Sequence, residues 1–128
     1  MARTAASCGM LVAILLLGMT AESALAQDKA EGKKYYVTYC SGCHGENGKG
    51  DGPASVSLPV KPADHTDGKI MNQIPDKTLF EIISKGGQAA GKSAFMPGWG
   101  SQLREKQIRD VIAYLRSIAS PPYKPSGK

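Results

Sequence analysis

Two phenylalanines, one tryptophan and three cysteines are all that a chain of 128 residues has of those types. So few large apolar side chains bury little surface for the chain's length, and domains so equipped usually need a staple or a cofactor to complete their core. A disulfide framework is excluded as the staple, because Cys8 lies in an N-terminal apolar stretch and only Cys40 and Cys43 remain. Long apolar runs are missing as well. The run from Cys8 to Met19 falls short of the roughly 20 residues needed to cross a bilayer. No segment alternates polar and apolar residues with the strand period, which argues against a sheet. Acidic excess is absent too, with 16 Lys and Arg against 11 Asp and Glu. The length allows one compact domain.

The first 26 residues do not belong to that domain. Arg3 precedes the apolar run, and Ala24-Leu25-Ala26 forms a small-residue cleavage site, the pattern of a secretory signal peptide. Its removal takes one Arg and one Glu and leaves the net charge at +5. The mature protein is therefore expected to be basic and exported to the periplasm, with residues 27–120 as its domain and 121–128 as a flexible tail. In an oxidising compartment two thiols three positions apart would be oxidised unless other chemistry consumed them.

Helical spacing recurs three times. Residues 29–40 carry an aromatic side of Tyr35, Tyr36 and Tyr39. Residues 76–85 place Leu79, Ile82 and Ile83 on one face and stop at Gly86-Gly87, where glycine can take a left-handed cap. Residues 105–119 repeat Ile108, Val111, Ile112, Leu115 and Ile118 and end before Pro121-Pro122. Gly- and Pro-rich loops lie between, so an all-α domain of three to four helices is expected. Arg104 stands where a Ser or Thr cap would be usual, which predicts an open start for the last helix.

The chemistry concentrates in "CSGCHGENGKGDGP", residues 40–53. On a helical turn, residues three and four apart share a face, so Cys40, Cys43 and His44 can point at one flat object. C-x-x-C-H is the attachment signature of c-type haem: the thiols form thioethers to the porphyrin vinyl groups while the imidazole reaches the iron. A structural zinc site would have to recruit His65 at an unusual spacing. A redox dithiol would need a preceding strand in a βαβ setting, and none is visible. The stretch "GGQAAGKS", residues 86–93, matches the phosphate-loop pattern letter for letter. It follows a helical segment and runs into Pro97-Gly98, so it opens no helix and is not read as a nucleotide site.

Over residues 29–119 the chain resembles the class I monohaem cytochromes c. Gly32, Tyr36 and Cys40 match the family's first helix, and "DVIAYLRS", with Val111 and Tyr114, is similar to its last. The resemblance implies that these two helices cross closely at the bare Gly32. It implies that Gly52-Pro53 is the pair whose proline carbonyl accepts the proximal imidazole's hydrogen bond. It also implies a distal thioether before the last helix, supplied by Met96 of "FMPGWG". Met71 reads as a flexible core filler. His65, where the family usually has an apolar residue, reads as a solvated loop histidine.

With Cys40 and Cys43 holding haem c covalently and His44 and Met96 on the iron, no position stays open for a substrate. The implied function is one-electron transfer between exported or membrane-bound redox proteins, not catalysis. A haem enzyme or ligand sensor with an open distal site, or a fixed electron-entry subunit of a dehydrogenase or oxidase, is the alternative. The expected carrier is a monomer, with no nucleic-acid partner and no stable membrane insertion after cleavage. Lys85 and Lys92, flanking the Met96 loop, are expected to steer it to acidic docking surfaces.

Overall fold

The computed structural model describes residues 26–124, and its first helix, α1 (Lys29–Tyr39), starts at Asp28. The carboxylate of Asp28 accepts from the amides of Ala30 at 2.8 Å and Glu31 at 3.2 Å, satisfying two donors that the first helical turn leaves over. Only Gly32 and Tyr36 of this helix are buried. They lie four apart and therefore form one narrow stripe.

That stripe meets the C-terminal helix, α5 (Glu105–Ile118). Ile108, Val111, Ile112 and Leu115 repeat at helical spacing and are all buried. A Cβ added at Gly32 would overlap the Asp110 carbonyl, so the two backbones approach as only a glycine permits. Beside the crossing, Asp110 is buried and accepts from the Asp28 amide at 2.8 Å and from Lys106 Nζ at 2.9 Å. The rings of Tyr36 and Tyr114 pack with centroids 5.1 Å apart. The start of α5 is not open as predicted. Gln107 turns back and accepts the Arg104 amide at 2.8 Å, so the third residue of the helix does the capping that the residue before it cannot.

Two four-residue helices, one ten-residue helix and two 3₁₀ turns complete the described fold. Beyond Cys40, α2 (Ser41–His44) continues the path of α1 after a break. A 3₁₀ turn, Pro53–Ser57, follows. Then come α3 (Gly68–Met71), whose Asp67 cap accepts from the Lys69 amide at 3.0 Å, and α4 (Asp76–Lys85). The second 3₁₀ turn, Gly87–Ala90, leads into the Met96 loop. Among the described residues there is no strand, only one parallel bridge between Asp67 and Ser120. The all-α class holds, with five α-helices among the described residues where three to four were expected. No helix among the described residues is long and apolar enough to cross a membrane.

One half-buried cation ties three of these pieces together. Arg116 donates to the Asp76 carboxylate at 2.7 Å, to the Met71 carbonyl at 2.6 Å and to the Ile74 carbonyl. Its guanidinium also lies 3.9 Å from the centre of the Tyr123 ring. Of the tail expected to be flexible from Pro121 on, the described part is thus in contact with the domain. The Pro121 carbonyl accepts from Asn72 at 2.9 Å. The leader expected at residues 1–26 lies outside the described residues except for Ala26.

Candidate functional site

The site begins where α1 breaks. Cys40 and His44 are buried and Cys43 is half-buried, and both thiols are unbridged. The short α2 presents them as the spacing requires, with the His44 amide bonded to the Cys40 carbonyl at 2.9 Å. After His44 the chain turns back through glycines with positive φ, among them Gly48 at 81° and Gly50 at 72°, a region most side chains avoid. The turn brings residues 62–65 against the site. The His65 amide donates to the Gly48 carbonyl at 2.6 Å, and a Cβ at Gly50 would strike the Pro62 carbonyl.

This segment settles the state of His44. Its Nδ1 lies 3.1 Å from the Ala63 carbonyl, which can only accept, so Nδ1 carries the proton and Nε2 is the bare nitrogen. The sequence expectation named the Pro53 carbonyl instead. Pro53 is exposed and opens the 3₁₀ turn, while the fold-back at Gly48 delivers the carbonyl of Ala63. Burial pushes the imidazole's pKa below its ordinary value, against the Ala63 bond, so the ring is held neutral. Burial, helped by neighbouring Cys43, raises the Cys40 thiol to about 12, which keeps it protonated at neutral pH.

All four sequence-predicted residues line one cavity. It has a volume of about 330 Å³, and Cys40, Cys43, His44 and Met96 all contribute to its wall. The rest is mainly apolar: Leu79, Ile82 and Ile83 of α4, Val111 and Leu115 of α5, and Met71. Met96 is half-buried on a loop pinned by its own backbone, its carbonyl accepting from the Gly87 amide at 2.9 Å. Just beyond, the amides of Trp99 and Gly100 bond to the carbonyls of Ile83 and Ser84 at the end of α4, and the Trp99 ring rests on Tyr39 at 5.3 Å. The loop is therefore a fixed wall. Met71 is 2% exposed within the main core.

His65 is not the solvated loop residue that was expected. It is buried, lines the cavity, and stacks on His44 with ring centres 4.2 Å apart. Burial, then the nearby His44, brings its pKa down to about 3. Of the two lysines expected around the site, Lys92 is at the cavity rim and Lys85 is not; Lys61 joins Lys92 there. Residues 86–93 run from the end of α4 into the 3₁₀ turn Gly87–Ala90, not from a strand into a helix. Sequence reasoning missed Ala63 and Arg116. A backbone carbonyl carries no side-chain signal, and nothing near Arg116 in the chain announces its distant partners.

A family model described as Cytochrome c matches residues 29–119. The cbb3-type cytochrome c oxidase subunit FixP of Bradyrhizobium diazoefficiens is 30% identical over 91 residues, covering 71% of this chain and 28% of that protein. FixP of Azorhizobium caulinodans is 28% identical over 89 residues, 69% of this chain and 26% of that one. The chain thus spans little more than a quarter of the length of these relatives. Among solved structures, the Kuenenia stuttgartiensis reducing HAO-like protein complex Kustc0457/Kustc0458 matches with a TM-score of 0.59 at 28% identity, over 80% of this chain and 49% of that one. The KustC0563 c-type cytochrome matches with a TM-score of 0.56 at 19% identity, over 70% and 98%, a likeness of fold.

Proposed function

The chain belongs to the cytochrome c family over residues 29–119, and on that premise we propose that it is an electron-transfer protein with one covalently bound c-type haem, held by Cys40, Cys43, His44 and Met96. One observation carries the assignment: all four side chains line the same apolar cavity of about 330 Å³. The donor set fits the group. It offers two unbridged thiols for thioethers, one imidazole whose bare nitrogen is Nε2, and one thioether sulfur on a fixed loop.

When bound, haem supplies a one-electron change between ferrous and ferric iron. The chain's own residues do the remainder. Cys40 and Cys43 fix the group covalently. Ala63 holds the His44 proton at Nδ1 and leaves Nε2 to the metal, and that outer hydrogen bond also raises the basicity of the ring. Met96 would offer the iron a soft, weak thioether, a ligand type that favours the reduced state relative to a second imidazole. Leu79, Ile83, Val111 and Leu115 exclude water and lower the local dielectric. With His44 and Met96 both given to the iron, the protein would bind no substrate there and would act as a carrier, exported to the periplasm through residues 1–26 and working as a monomer. Residues 27–120 form the carrier domain. Similarity to subunits of larger redox assemblies supports a second placement, as an electron-entry subunit docked to such an assembly.

The test is spectroscopic. In the protein matured from the full chain, haem should stay with the polypeptide through acid denaturation and organic extraction, and the oxidised form should be low-spin with a weak near-infrared sulfur-to-iron band. Met96→Ala should abolish that band. Extractable haem would overturn the roles of Cys40 and Cys43. A band that persists in Met96→Ala assigns the ligand to Met71, and a wild type without the band favours an open-site haem protein or His65 as the ligand, which a His65→Ala spectrum separates.

A further inference from the structure

Ala63 and His65 stand two positions apart on one segment, and both meet the His44 ring. The Ala63 carbonyl takes Nδ1 at 3.1 Å in the direction of the N–H bond. A single hydrogen bond of that kind leaves the imidazole able to rock about the N···O line. The His65 ring covers its face, with centres 4.2 Å apart and planes at 21°. Nor can His65 swing freely. It is 9% exposed, its amide is bonded to the Gly48 carbonyl, and the edge of Tyr36 meets it with centres 5.8 Å apart and planes at 72°. Tyr36 is fully buried and its hydroxyl donates to the Gly45 carbonyl at 2.9 Å. Tyr36, His65 and His44 form a chain of three ring contacts, one edge-on and one stacked, anchored at its far end.

Two imidazoles stacked nearly parallel at this separation keep their nitrogen lone pairs in two neighbouring planes. They cannot approach one metal from opposite faces, so His65 in this position does not compete with Met96 as a second axial ligand. Its Nδ1 is buried without a hydrogen-bond partner among the described residues, and the contacts that hold the ring are the stacked His44 face and the Tyr36 ring. We propose that His65 is a positioning residue for His44, its ring setting the rotational angle of the proximal imidazole that the Ala63 carbonyl alone leaves soft. The inference rests on the reading of His44 as the iron ligand. It adds a second contact, from a side chain, to the control of that ligand's orientation.

The experiment uses the haem-loaded protein in three forms: wild type, His65→Leu and His65→Phe. Leucine keeps an apolar filling and removes the ring, while phenylalanine keeps a stacking face and removes both nitrogens. Electron paramagnetic resonance of the ferric state reads the orientation of the axial imidazole through its g values, and a redox titration reads the midpoint potential. Wild type and His65→Phe should each give one narrow low-spin signal with the same g values. His65→Leu, at equal haem content, should give a broadened or split signal and a shifted potential. A His65→Leu signal identical to wild type overturns the proposal, as does a His65→Phe signal that matches His65→Leu. A sulfur-to-iron band that appears only when His65 is replaced would make His65 a ligand and overturn it as well. A wild type lacking imidazole ligation overturns the assignment of His44 and this inference with it. His/Met ligation that is indifferent to His65 overturns this inference alone.

Discussion

Asp28 bears its charge where the amides of Ala30 and Glu31 converge, and these two bonds hold its carboxyl below the ordinary value of 3.8. A depressed folded-state pKa contributes stability that is present in full above the unfolded value and is lost as pH falls through the folded one. Asn caps a helix about as well as Asp but cannot titrate. Asp28→Asn should therefore be less stable than wild type at neutral pH, and the difference should close in acid below pH 3.8; urea midpoints at neutral and acid pH measure it. At this scale the sequence was legible where chemistry dictates spacing, as with Cys40, Cys43 and His44. His65 was not, because what buries a histidine is the tertiary fold-back at Gly48 and the Tyr36 ring, and neither is a neighbour in the chain. The Pro53 expectation failed for a related reason. Which carbonyl reaches an imidazole depends on where a glycine loop lands.

Helices were legible in proportion to their buried width. The boundaries expected for α4 match, and those of α1 and α5 differ by one residue at their C-terminal ends. In α5 the broad apolar face made the periodicity plain. In α1 the stripe is only Gly32 and Tyr36, with Tyr35 and Tyr39 no more than partly buried, so its pattern was faint. Four residues, as in α2 and α3, are too few to show a period. Gly32 is where α1 has no tolerance. Gly32→Ala would normally favour a helix, but here its methyl must displace the Asp110 backbone. The net effect should be a loss of about 1–3 kcal/mol, the usual cost of overpacking, read as a lower denaturation midpoint with an unchanged m-value. An unchanged midpoint would mean that the two helices can part at little cost.

The whole chain carries a formal charge of +5, and exposed Lys61 and Lys92 stand at the rim of the cavity. Val60, Ile70 and Phe95, also lining it, are among the exposed large apolar side chains. A cationic rim around an apolar mouth suits a partner with an acidic docking surface, whose approach it would accelerate about tenfold or more at low salt. The electron-transfer rate with such a partner should fall steeply as ionic strength rises from about 0.01 to 0.1 M, where the Debye length drops from about 30 to 10 Å. Reversing the charge at Lys61 and Lys92 should flatten that dependence, and an unaltered slope would put the docking face elsewhere. The crossing of α1 and α5 also has a consequence in time. Asp28 and Asp110 are 82 positions apart, so joining them closes nearly the whole domain into one loop, at an entropic cost of about 4 kcal/mol from length alone. Val111 and Leu115 come to the cavity only with α5. Until that last helix docks, the chain holds its cysteines and His44 in a half-built cleft open to water on one side.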